Sequence, residues 1–136
     1  MSSVGEQDNQ KMNNKIFCLG IALLATHELD AMTHKEWELL LPFVESGTGK
    51  LIFVLLHIPL FYFLFYFHGH KSIVIQNRFR IILSVFLALH GVAHFFFSVL
   101  HDSYTFVPPL ETITVYGAAI CGFIFLYLTK VRVNGP

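Results

Sequence analysis

The sequence predicts an all-α integral membrane protein, a four-helix antiparallel bundle, and three observations lead there. Hydrophobic residues make up 54% of the 136-residue chain against 13% charged, a balance foreign to ordinary soluble domains. The apolar residues gather into four runs bounded by proline, glycine or charged clusters. The links between the runs are short, which favours antiparallel neighbours. Lys+Arg and Asp+Glu both total 9, so no net field draws nucleic acid. The lipid bilayer is the expected partner.

Residues 1–14 are polar, carry no apolar stripe, and read as a disordered tail. A domain of four transmembrane helices is expected over 15–132, with spans at about 15–38, 49–68, 80–101 and 109–130. The first run, IFCLGIALLAT, is short of the roughly 20 apolar residues a bilayer demands. No small-x-small cleavage site follows it, and neither Gly nor Pro interrupts the chain until Pro42, so a helix running to Glu38 with a polar outer third is preferred to a signal peptide. Glu45 to Gly49 then form a turn. Leu51 to Phe67 is apolar except at His57, and Pro59 removes the hydrogen bond to the Leu55 carbonyl, which predicts a kink beside that histidine. Ser72 to Asn77 read as a connector, Ile81 to Leu100 as the third span and Leu110 to Thr129 as the fourth. Cys18 and Cys121 both sit in apolar runs and read as small buried hydrophobes rather than a disulfide.

Basic residues set the orientation. Lys11, Lys15, Lys71, Arg78, Arg80, Lys130 and Arg132 fall on one face of the four-span scheme, Lys35 and Lys50 on the other. The asymmetry predicts that both termini are cytoplasmic and that Trp37 and Tyr104 sit at the outer headgroup level.

Eight histidines are the outlier among polar residues. At 1.5 Å per residue, His27, His57 and His94 lie at one depth, about 10–12 Å below the outer surface. His27, Asp30, His34 and Glu38 share a wedge of about 80° on the first helix, and His90, His94 and His101 share about 40° on the third. His90 and His94 have the i, i+4 spacing that lets two imidazoles reach one metal. Carboxylates at membrane depth are costly without partners, about 2.5–3.5 kcal/mol each on insertion scales. Glu28 and Asp30 are therefore expected to face inward. Glu111 reads as a helix cap, and His68 and His70 as solvated residues at the opposite rim.

These residues make a candidate ligand set of His27, Asp30, His57, His90 and His94 for a divalent transition metal, zinc, iron or manganese, with Glu28 as a candidate general base. Whether such a site is catalytic is left open by the residues. Two other classes compete: a haem-binding electron-transfer protein with imidazole axial ligands, and a proton or ion relay component of a transporter, which with four spans would call for a homo-oligomer.

The run THELDA (26–31) with Glu36 and Trp37, followed by FVLLHIPLF (53–61), resembles an uncharacterised family of small four-span bacterial membrane proteins, a domain of unknown function. The resemblance implies that His27, Glu28, Asp30, Glu36, Trp37, His57 and Pro59 belong to the family signature. It implies no activity, substrate or cofactor, and His90, His94 and His101 rest on spacing alone.

Overall fold

The structure, a computed structural model, describes residues 4–100 and 110–134. Among these the chain is all-α: α1 Val4–His34, a short α2 Trp37–Leu40, α3 Ser46–His68, α4 Ile73–Leu100, a π-helical turn Thr112–Tyr116 and α5 Gly117–Asn134. Four stretches are long and apolar enough to cross a membrane: Gln10–His34, Ser46–His68, Ile73–Val99 and Thr112–Lys130. The expected flexible tail is corrected in part, because α1 starts at Val4. Its Gln, Lys and Met residues sustain a helix once the apolar turns beyond Lys15 have nucleated one. His101, Asp102 and Tyr104 lie outside the described residues.

The chain divides into two compact units, Met1–His27 with Ile81–Pro136, and Glu28–Arg80. In the first, α1, α4 and α5 meet through small residues, the usual means of close approach between apolar helices. A Cβ added at Gly91 would lie 2.5 Å from the Ala119 Cβ, and one at Gly122 would lie 2.6 Å from the Ser84 carbonyl oxygen. Gly20 faces Cys121 and Leu87 equally tightly, at 3.0 Å. Leu24, Leu87 and Ala118 form the centre of this packing, and Phe17 and Phe125 close it with ring centroids 5.5 Å apart. Cys121 is buried as expected, but Cys18 is exposed, because only one stripe of α1 faces protein.

In the second unit, α1 stops sooner than expected. Lys35 adopts a left-handed φ of 57° and the Glu36 amide returns to the Ala31 carbonyl at 3.1 Å, an αL termination built without glycine. The chain re-enters helix at Trp37, whose ring is not exposed in a headgroup belt but buried at 4% exposure against Ala31 and Phe53. Gly49 lets α3 pass beside it, since a Cβ there would sit 3.1 Å from Trp37 Cδ1. Phe43, 99% exposed, is the aromatic offered to the surroundings at this end.

Helix α3 begins earlier than the sequence implies because Glu45 caps it. Its carboxylate accepts from the Gly47 and Thr48 amides at 3.2 and 3.3 Å and from the Thr48 hydroxyl at 3.0 Å. The Thr48 hydroxyl and then the two amides hold the Glu45 carboxyl below its usual value of 4.5. A depressed folded-state value means that the cap stabilises above the unfolded carboxyl's titration and is lost as pH falls through the folded one. We therefore expect the melting temperature in detergent to fall as pH drops below about 4.5, and Glu45→Gln to flatten that limb of the profile. An unchanged acid limb in Glu45→Gln would count against the cap.

Along α3 the large apolar side chains are mostly bare: Ile58 is 66% and Phe65 75% exposed. On α4 Ile82, Leu89 and Val99 are similarly exposed. Such surfaces suit lipid rather than water.

Candidate metal centre

Two helices of the first unit bring three imidazoles together. His90 and His94 project one turn apart from the same face of α4, with ring centroids 4.6 Å apart. His27 enters from α1, one turn beyond the buried Leu24, and is 1% exposed. Its ring lies 5.1 Å from that of His90 and 4.7 Å from that of His94, standing nearly perpendicular to the latter. One ring nitrogen from each of the three lies within 4.8 Å of the others. His90 Nε2 is buried and has no hydrogen-bond partner among the described residues. A buried imidazole nitrogen in that condition is costly, and a metal ion would satisfy it.

Glu111 supplies the acid. Its Oε1 accepts a hydrogen bond of 2.9 Å from His94 Nδ1, and both side chains are buried, at 6% and 7% exposure. The sequence reading of Glu111 as a cap is corrected, for its side chain makes no capping bond to the π-helical turn that follows. With Nδ1 donating to a carboxylate, the lone pair of His94 resides on Nε2. The clue lay in the composition: Glu111 is the single acidic residue between positions 110 and 134, and a carboxylate in an apolar helix needs a partner.

The other expected ligands belong to the second unit. His57 Nδ1 contacts the Phe53 carbonyl at 2.7 Å and its Nε2 contacts Glu28 Oε2 at 2.9 Å. Both ring nitrogens are thus engaged, and so is the carboxylate read as a general base. His34 Nδ1 lies 3.1 Å from the Asp30 carbonyl oxygen and 3.4 Å from the Asp30 carboxylate. The Glu28–His57 pair, 15% and 18% exposed, ties α1 to α3. Its double-mutant cycle is expected to give a coupling of about 1–3 kcal/mol in chemical unfolding. Additive Glu28→Ala and His57→Ala effects would show that the contact is not formed. Of the sequence-predicted ligands, then, His27, His90 and His94 converge. Asp30 and His57 take other partners.

Residues 13–132 match the pattern described as "Family of unknown function (DUF6713)". The chain belongs to that family. The DUF6713 match takes in α3, α4 and most of α1 and α5, and with them His27, His90, His94 and Glu111. It also takes in the THELDA and FVLLHIPLF runs on which the resemblance to an uncharacterised family rested. No curated protein and no solved structure matches the chain.

Proposed function

We propose that this DUF6713 protein is an integral membrane metalloprotein that holds a divalent transition metal on His27, His90 and His94. The observation that carries the reading is the convergence of three ring nitrogens within 4.8 Å in helices of membrane-spanning length. A tetrahedral ion with metal–nitrogen distances of about 2.0–2.1 Å holds its nitrogens about 3.4 Å apart, so small side-chain rotations would complete the site. Neutral imidazoles suit zinc or iron better than the harder ions, with manganese the weakest of the three candidates.

Three protein ligands leave a fourth position for water or another small ligand, the arrangement of catalytic rather than structural zinc. Lowering the proton affinity of a bound water is the chemistry such a centre supplies. The reading extends to topology: the seven-to-two basic asymmetry in the sequence supports cytoplasmic termini, the resemblance to small bacterial membrane proteins suggests the bacterial inner membrane, and the bare apolar faces of α3 and α4 support lipid contact.

Elemental analysis of detergent-purified full-length protein tests the proposal. About one zinc, iron or manganese per chain in the wild type, with far less in His90→Ala, is the expected result. Wild-type protein that takes up no transition metal even after incubation with each ion would overturn it.

A further inference from the structure

We propose that Glu111 is the positioning residue of this centre: it fixes His94 in the tautomer that presents Nε2 to the metal and supplies the negative charge that lets a dication reside among apolar helices. The inference deepens the metal reading and rests on it.

The geometry begins with the contact itself. Glu111 Oε1 and His94 Nδ1 are 2.9 Å apart, within the range of a charge-assisted hydrogen bond. A carboxylate only accepts, so the hydrogen sits on Nδ1. A neutral imidazole carries one N–H, which leaves Nε2 as the sole metal-binding atom of His94. Without the acid, His94 loses the carboxylate acceptor that holds the hydrogen on Nδ1, and a fraction of the rings would present an N–H to the ion.

Local structure argues against a simple structural role for the acid. Glu111 is itself helical, with φ −61° and ψ −41°, and its side chain makes no capping bond to the turn that follows. Its side chain turns inward instead and is buried. The π-helical turn Thr112–Tyr116 follows directly. Such turns perturb helical register and recur beside functional sites.

Charge gives the second half of the inference. Three neutral imidazoles do nothing to offset a dication, and an isolated charge in a low-dielectric interior is strongly disfavoured. The Glu111 carboxylate halves the net charge of the loaded site while remaining bonded to His94 rather than to the ion. The remaining single positive charge favours an anionic oxygen, hydroxide foremost, in the fourth position. Carboxylate partners of metal-bound histidines act in this way, and their removal typically costs about 10–100-fold in metal affinity.

The test uses full-length protein in detergent, with Co2+ as a visible probe and Zn2+ in competition with a chelator. Glu111→Ala is expected to weaken Zn2+ binding about 10–100-fold and to alter the visible bands of the Co2+ form. Glu111→Gln, which keeps an acceptor oxygen but loses the charge, is expected to fall between the two. Histidine 15N spectra of metal-free protein supply a readout independent of loading, with His94 protonated at Nδ1 in the wild type and redistributed in Glu111→Ala. Should Glu111→Ala fail to fold, the Gln variant and the wild-type tautomer carry the test. Unchanged affinity and spectrum in Glu111→Gln and Glu111→Ala, or His94 protonated at Nε2 in the wild type, would overturn the role of Glu111 while leaving the three-histidine site standing. A wild type that binds neither ion would overturn both.

Discussion

His94→Ala is expected to weaken metal binding by about 100–1,000-fold, whereas His57→Ala leaves stoichiometric metal in place. The magnitude follows from the apparent free energy of a four-ligand zinc site, about 10–16 kcal/mol, or about 2.5–4 kcal/mol per ligand, where 1.4 kcal/mol is a factor of ten. Removing His94 also removes its hydrogen bond to the buried Glu111 carboxylate. His57 makes the informative contrast. From depth alone it belongs with His27 and His94, but its two nitrogens are taken up by Phe53 and Glu28. Competition titrations with a chelator on the two variants decide the matter. Equal losses in both would restore His57 to the ligand set.

Gly122→Leu is expected to disrupt the first unit, with Gly91→Leu close behind. Even an alanine Cβ at Gly122 meets the Ser84 backbone oxygen at 2.6 Å, and one at Gly91 meets the Ala119 Cβ at 2.5 Å. Backbone cannot rotate away as a side chain does, so α4 and α5 must separate. Overpacking of this kind costs about 1–3 kcal/mol for added methylenes, and leucine adds several. Separation also disturbs the site, because His90 and His94 ride on α4, Gly91 adjoins His90, and Glu111 lies on the segment that leads into α5. Gly69→Ala is the control, since its Cβ would meet only the Phe65 carbonyl oxygen at 3.4 Å, and a change within about 0.5 kcal/mol is expected there. Thermal unfolding in detergent measures all three. Wild-type melting in Gly122→Leu would show that the helices do not cross as closely as described.

The apolar runs made the helical class legible, since four stretches with few charges leave little else to build in a membrane. Boundaries were less legible, for particular reasons. The break at Lys35 uses a left-handed lysine in place of the glycine that usually marks one, and the early start of α3 depends on Glu45 capping over Gly47, a glycine that read as turn. In the site, the i, i+4 spacing of His90 and His94 and the inward placement of His27 could be read from helical periodicity. What periodicity cannot supply is azimuth between helices. Counting residues along the chain assigns His27, His57 and His94 one expected depth, but depth does not tell which helix faces which. Adjacent residues on α1 separate accordingly: His27 meets the α4 histidines, while Glu28, turned by about 100°, meets His57. Glu111 was visible as a lone acid but not as a partner, because a cap at a helix start is the commoner use of that position.

The convergence of His27, His90 and His94 on one ion is tested most directly by X-ray absorption at the metal edge of zinc-loaded, full-length protein. A nitrogen or oxygen shell at about 2.0–2.1 Å, with outer-shell scattering from three imidazoles that drops to two in His90→Ala, is the predicted result. A sulfur shell, or imidazole scattering that is indifferent to His90→Ala, would contradict the account.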